Sequence, residues 1–204
     1  MEKAVGIISK GISVIFHPLL IPVYIIWVIF FSPSSPFMTT PSIVKNYILA
    51  LTLIFLIFLP LVSIMGFKYA GLIGDVKLDM REDRIYPIMA GIFFVFVALF
   101  LSKNTAHVQI VRLMYLSFIV LLSLGSLITL FWKISFHAGG MGILCGYILF
   151  LSYRYHCDFR SVYITFLFAA GLVGASRLYL GQHSLAQVGC GFLLGHVILL
   201  LLLF

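Results

Sequence analysis

Long apolar runs separated by short polar stretches constrain this chain more than any other feature. Of its 204 residues, 63% are hydrophobic and only 9% are charged, and the mean hydropathy is +1.19. A water-soluble domain does not have this composition, so the pattern predicts an integral multi-pass membrane protein. Because a bilayer offers no water to unpaired backbone groups, we expect an all-α polytopic bundle.

About seven transmembrane helices are predicted, each near the ~17–25 residues that cross a bilayer. Pro18 and Pro22 are expected to bend the first helix, and His17 is interpreted as packing in the headgroup zone. The predicted division is an extra N-terminal helix and loop in residues 1–43 and a core in residues 44–204. The predicted spans are residues 11–31, 44–66, 85–101, 110–132, 138–153, 161–177 and a seventh that begins after residue 182 and reaches the C-terminus.

The formal net charge of +7 bears on the partners of the chain. In a membrane protein, such a charge indicates basic loops beside anionic lipid headgroups rather than a nucleic-acid partner. An anionic lipid substrate is compatible with this charge but is not required by it. Basic residues divide evenly between the two predicted faces once candidate ligands are set aside, so they do not set the orientation. The oligomeric state is not indicated by the sequence.

Three polar stretches fall on one predicted side of the membrane. They are residues 77–87, 135–140 and 176–187. The first precedes the third span, the second follows the fourth span, and the last follows the sixth span. An even number of crossings therefore separates them, and we expect their side chains to meet at one face.

The first stretch offers a basic arc. On a helix with 100° per residue, Lys77, Arg81 and Arg84 share a narrow arc. This arc would suit a phosphate, whose oxygens accept charge-assisted hydrogen bonds. A solvated juxtamembrane helix with mixed charges is the alternative interpretation.

Acidic residues in the same region allow a different function. Asp75, Asp79 and Asp83 recur at every fourth position, and carboxylates at this spacing could bind Mg²⁺ in a metal-dependent lipid transferase. The neighbouring lysines and arginines can neutralise these carboxylates instead.

The other two stretches combine anion-binding groups with histidines. Ser135 and His137 stand at the predicted start of a helix, where free N–H groups suit an anion; the alternative is an N-cap serine beside a headgroup histidine. His183 and Gln187 are four residues apart and share a helix face. With Arg177 nearby, an imidazole and a guanidinium suggest a site for an anionic group.

Small residues at helical spacing predict close packing of the last three spans. The pairs are Gly142 and Gly146, Gly171 and Ala175, and Gly191 and Gly195.

Taken in order, the polar stretches resemble the motifs of the type-2 phosphatidic acid phosphatase and vanadium haloperoxidase superfamily, in its membrane lipid phosphatase branch. The family pattern is Lys-x6-Arg-Pro, then Pro-Ser-Gly-His, then Ser-Arg-x5-His-x3-Asp. The departures here are Ile85 for the first proline, Ile134 and Phe136 in the second motif, and Gln187 for aspartate. The chain reads Lys77-x6-Arg84, then Ile134-Ser135-Phe136-His137, then Ser176-Arg177-x5-His183-x3-Gln187.

The resemblance implies a six-helix phosphatase-like core that hydrolyses a phosphate monoester or diphosphate of a lipid without metal or cofactor. In this scheme His183 is the nucleophile that forms a phosphohistidine, and His137 protonates the leaving alkoxide and then activates water. Gln187 stands where a carboxylate normally orients the nucleophile. The implied phosphate-binding residues are Lys77, Arg84, Ser135 and Arg177, with Arg81 on the same arc.

The resemblance also implies a location and leaves one alternative open. Most lipid members of the family act on a phosphorylated lipid near the extracytoplasmic surface of the cell membrane, and the same location is expected here. A glutamine can accept a hydrogen bond from the nucleophilic histidine but supplies no charge. The alternative is therefore a degenerate relative that binds or moves phospholipids without hydrolysis.

Overall fold

The computed structural model describes residues 2–76, 82–104 and 109–202, and within them all regular structure is helical. This result confirms the predicted all-α class for the described residues. The eight helices described are α1 (Glu2–Ile15), α2 (Ile21–Phe31), α3 (Ser42–Tyr69), α4 (Ile85–Leu101), α5 (Gln109–Phe131), α6 (Phe136–Tyr155), α7 (Arg160–Tyr179) and α8 (Leu185–Leu201).

Four of the described helices are long and apolar enough to cross a membrane: α3, α5, α6 and α7. The helices α2, α4 and α8 are apolar but shorter. These helices and the composition indicate a multi-pass membrane protein. The count of seven spans stays a prediction.

The first predicted span is divided in the structure. Helices α1 and α2 are separate, and residues 16–20 between them do not continue either helix. The expectation of one bent helix over residues 11–31 was therefore wrong. The ring of Pro18 disfavours helical geometry at the preceding His17, and Pro22 lies in the first turn of α2, where a missing N–H costs nothing.

The chain forms two compact units. Unit 1 comprises Met1–Thr39 and Lys133–Phe204 and contains α1, α2, α6, α7 and α8. Unit 2 comprises Thr40–Trp132 and contains α3, α4 and α5. The N-terminal helices thus belong with the C-terminal ones in unit 1, and the predicted division at residue 43 stays a prediction.

Helices α6 and α8 touch along a seam of glycines, which we call the glycine seam. A Cβ atom added at Gly191 would overlap the carbonyl oxygen of Ser135, and one at Gly195 would overlap that of Gly139. Gly142 meets the backbone of α8 in the same way. The contacts advance in the same direction along both helices, so α6 and α8 are parallel and α7 runs back between their ends. The close packing predicted from these glycines is confirmed.

Helix α7 approaches α8 through a different glycine from the one that was predicted. A Cβ atom added at Gly171 would meet nothing within 4 Å, so the expected contact at this position was wrong. A Cβ atom at Gly174 would lie 3.1 Å from Cγ1 of Val188 on α8. The spacing of small residues correctly predicted that α7 packs against α8, but it did not predict which face of α7 makes the contact.

Helix α1 buries its two serines and exposes aliphatic residues together with its charged ones. Ser9 and Ser13 are buried, whereas Ile7 and Val14 are exposed by 72% and 67%. The helix packs against α7. Small polar residues between helices and aliphatic residues facing outward are typical of a helix surrounded by lipid.

Within unit 2, α3 contains one wide turn before a proline. Residues Leu53–Phe58 form a π-helical segment, in which the N–H of Leu59 donates to the carbonyl oxygen of Ile54. Pro60 cannot donate to the helix and its ring crowds the preceding turn, so the wider turn relieves a contact. Deeper in the unit, the hydroxyl groups of Thr52 and Tyr115 lie 2.9 Å apart.

Candidate functional site

One end of unit 1 collects polar side chains from four separate segments. The turn between α1 and α2 supplies His17, and the start of α6 supplies His137. The last turn of α7 supplies Arg177, and the turn before α8 supplies His183. Because α6 and α8 are parallel and α7 returns the chain between them, both helix starts and the end of α7 lie at this end.

Two imidazoles form the centre of this cluster. The ring centroids of His17 and His137 are 5.2 Å apart, with the ring planes nearly perpendicular at 83°. Nε2 of His137 lies 3.2 Å from the carbonyl oxygen of Ser13, and a carbonyl only accepts, so Nε2–H of His137 is the donor. Nδ1 of His17 accepts from the backbone N–H of Leu19 at 3.3 Å, which places the proton of a neutral ring on Nε2.

The charges acting on this centre are all basic. The Arg177 guanidinium acts electrostatically on both His17 and His137, and His183 acts on His137. Neighbouring protein atoms withdraw part of the His17 ring from water, and this desolvation, reinforced by the Arg177 charge, lowers the pKa of His17. The ring nevertheless remains exposed at the surface of the unit. Within the described ranges, no acidic group acts on either imidazole, so an anion would supply the missing counter-charge.

His183 is oriented by the cap of α8. Ser184 and Gln187 form a capping box: the Ser184 N–H donates to Oε1 of Gln187 at 3.1 Å, and the Gln187 N–H donates to Oγ of Ser184 at 3.4 Å. Nδ1 of His183 lies 3.3 Å from the same Oε1. Because the Ser184 N–H can only donate, the atom that it meets must be the amide oxygen, and Nδ1 of His183 must carry a proton. In the neutral ring, Nε2 is then the atom with the lone pair.

Ser135 has a structural role that is visible directly. Its side chain caps α6 by accepting from the N–H of Ala138 at 3.4 Å, which is the alternative interpretation drawn from the sequence. Its own N–H donates to the backbone oxygen of Gln187 at 3.3 Å. Ser135 is buried. This backbone hydrogen bond ties the motif at the start of α6 to the motif at the start of α8.

Of the basic residues predicted from the first stretch, the one that the structure describes belongs to the other unit. Arg84 ends a short 3₁₀ turn, Glu82–Arg84, in unit 2. Lys77 and Arg81 lie outside the described residues. The predicted helical arc and its contribution to a phosphate site therefore stay predictions.

The acidic residues of the same stretch are only partly described. Oδ1 of Asp83 accepts from the backbone N–H of Gly74 at 2.7 Å, which ties the 3₁₀ turn to the preceding loop. Asp79 lies outside the described residues. Among the residues that are described, no group of three or more histidine, cysteine, aspartate or glutamate side chains is placed to hold a metal ion.

His17 is the residue that the sequence analysis did not include in the site. The available signal was its position before Pro18 within an apolar run. A proline there ends the helix and leaves the preceding side chain on a turn, where it can reach other segments. Attributing the histidine to headgroup packing assumed an unbroken first span.

Comparisons of the chain with protein-family models, with curated proteins and with solved structures found no match. The resemblance to the phosphatase superfamily accordingly rests on the motif residues, and the functional argument rests on the geometry of the cluster.

Proposed function

We propose that this protein is an integral membrane lipid phosphatase that hydrolyses a phosphate monoester or diphosphate of a lipid. The observation that carries the proposal is the meeting of three imidazoles and one guanidinium at one end of a helical unit. His17, His137 and the Arg177–His183 motif come from three parts of the chain that are far apart in sequence, and the groups acting on the central imidazoles are basic. Such a cluster is complementary to a phosphate group, which accepts several charge-assisted hydrogen bonds.

His183 has the orientation that a nucleophile needs. With Nδ1–H directed to Gln187, Nε2 carries the lone pair and attacks phosphorus, while the bond from phosphorus to the lipid oxygen breaks. The products of this step are a phosphohistidine and, from a monoester, a lipid alkoxide; from a diphosphate, the bridging oxygen leaves as part of the lipid monophosphate. Arg177 neutralises charge on the phosphate oxygens during the transfer.

His137 completes the cycle as an acid and then as a base. A phosphate beside the ring favours its protonated form, which gives a proton to the leaving alkoxide and releases the lipid alcohol. A water molecule then attacks the phosphohistidine and gives its proton back to His137. Inorganic phosphate leaves, and both histidines return to their starting states.

The apolar outer surfaces of the helices would hold the lipid tails while the phosphate sits in the cluster. This arrangement suits a substrate that enters sideways from the bilayer. By analogy with the lipid members of the resembled family, we place the site near the extracytoplasmic surface of the cell membrane.

Phosphate release from a panel of lipid phosphates tests this function. Purified protein in detergent is incubated with phosphatidate, phosphatidylglycerophosphate and a polyprenyl diphosphate, with and without EDTA. We expect release from at least one substrate at a rate that EDTA does not change. Strict dependence on Mg²⁺, with loss of activity in Asp79→Ala, would instead support a metal-dependent transferase.

Gln187 provides a graded test of the mechanism. Gln187→Glu keeps the acceptor for the Ser184 N–H and adds the negative charge that stabilises a protonated His183 ring. The acid-to-amide exchange costs about 10⁴ in kcat in serine proteases; for the amide-to-acid change here, we expect a gain of at least about tenfold in kcat. Gln187→Leu, which removes the acceptor, should lower kcat.

Both Gln187 variants are compared at equal protein concentration after their helical content is checked by circular dichroism. An unchanged kcat in Gln187→Glu would show that the amide does not limit the reaction.

The amide at Gln187 also favours a second function. Without a charged partner for His183, the protein could bind or move phospholipids and leave the phosphate in place. In that case neither the wild type nor Gln187→Glu would release phosphate, while both would retain binding to lipid phosphates in vesicles.

A further inference from the structure

We propose that His17 is a further phosphate-binding residue, supplied by the turn between α1 and α2, whose Nε2–H donates to an oxygen of the bound phosphate. This inference rests on the proposed function, because it assigns one more contact to the same phosphate group. None of the three sequence motifs includes His17, and it reaches the cluster from the opposite end of the chain.

The hydrogen bonds of His17 determine which of its nitrogens is available. Nδ1 accepts from the N–H of Leu19 at 3.3 Å, so the proton of the neutral ring is on Nε2. Among the residues that the structure describes, the imidazole of His17 makes no hydrogen bond besides this one. The side chain is exposed, so a ligand can approach Nε2–H without displacing a protein group.

The position of the ring brings this donor to the anion. The ring of His17 lies nearly perpendicular to that of His137, with 5.2 Å between the centroids, and the charge of Arg177 acts on both rings. A phosphate that contacts Arg177 and His137 therefore lies beside His17 as well. A tetrahedral anion accepts hydrogen bonds on several sides, so the three groups can bind it together.

The charge state of His17 suits this role. Partial desolvation and the neighbouring guanidinium lower the pKa of His17, so the ring is neutral near pH 7 before the anion binds. A neutral imidazole adds a hydrogen-bond donor without adding repulsion against Arg177.

Two conservative substitutions separate anion binding from a purely structural role in the turn. His17→Asn retains a polar group near the position of Nδ1 and can still accept from the Leu19 N–H. His17→Gln places its amide N–H near the position of Nε2 and can still donate to the phosphate. A role in the turn predicts rescue by asparagine, whereas phosphate binding predicts rescue by glutamine.

The measurement is the affinity for inorganic phosphate, determined by isothermal titration calorimetry on the full chain in detergent. Because one hydrogen bond to a charged group is lost, we expect about tenfold weaker binding in His17→Asn. We expect His17→Gln to stay within about threefold of the wild type. His156→Asn, at the α6–α7 turn, is the matched control and should bind as the wild type does.

Unchanged binding in His17→Asn, or equal weakening in both His17 variants, would overturn the assignment. Wild-type protein that binds no phosphate would also overturn it. Hydrolysis of lipid phosphates is measured in parallel. A wild type that hydrolyses substrate while the His17 variants bind phosphate normally would refute this inference alone, whereas phosphate binding that depends on His17 without any hydrolysis would refute only the proposed enzyme.

Discussion

His183→Ala is expected to reduce phosphate release by at least about 10³-fold, to the background of the assay. The alanine removes the Nε2 lone pair that is proposed to attack phosphorus, so the phosphohistidine cannot form. The residual rate would come from binding and electrostatic stabilisation alone. The rate is measured as released phosphate with the best substrate of the lipid panel.

The cap of α8 makes this variant easy to interpret. The hydrogen bonds between Ser184 and Gln187 do not involve the imidazole, so α8 should begin at the same place in His183→Ala. His156→Asn is the control, because His156 has a positive φ of 52° that asparagine tolerates, and it lies at the other end of α6. An acid-labile phosphoprotein formed by the wild type and absent from His183→Ala would identify the intermediate. Full activity in His183→Ala would exclude the nucleophile.

Gly195→Ala is expected to destabilise unit 1 by about 3 kcal/mol or more. The added methyl group would overlap the backbone oxygen of Gly139, and a backbone atom cannot move aside as a flexible side chain can. Helices α6 and α8 would have to separate along the glycine seam and lose contacts on both sides. Thermal or denaturant unfolding in detergent measures the loss.

Gly171→Ala is the matched control for this substitution, since a Cβ atom there meets nothing within 4 Å. It introduces the same methyl group within an apolar helix and should leave stability unchanged or slightly raised, because alanine favours the helix. Equal effects of the two substitutions would show that the seam does not determine stability.

Composition and the apolar runs were sufficient to predict the helical class, because within a bilayer few structures can satisfy the hydrogen bonds of the backbone N–H and C=O groups. The bounds of α4, Ile85–Leu101, coincide with the predicted span. The first span could not be predicted in the same way. Pro18 and Pro22 are compatible with a kink or with a break, and the structure shows a break, with α1 packed against α7.

The candidate site was predictable to the extent that it follows local patterns. The spacing of His183 and Gln187 correctly placed them within contact of each other. The orientation of the amide depends on Ser184, whose N–H fixes the oxygen towards the ring. His17 and His137 are 120 positions apart in the sequence and lie side by side in the structure. A local sequence pattern cannot predict such a contact.

The glycine seam limits where a lipid can pass between the helices of unit 1. Where the backbones of α6 and α8 touch, no acyl chain can slip between them, so this pair of helices forms a closed wall. For the proposed lipid substrate, we therefore expect the headgroup to reach the histidines between another pair of helices. Bulky substitutions between the helices through which the lipid enters should lower the rate of hydrolysis of long-chain substrates. They should leave the rate for short, water-soluble phosphate esters unchanged.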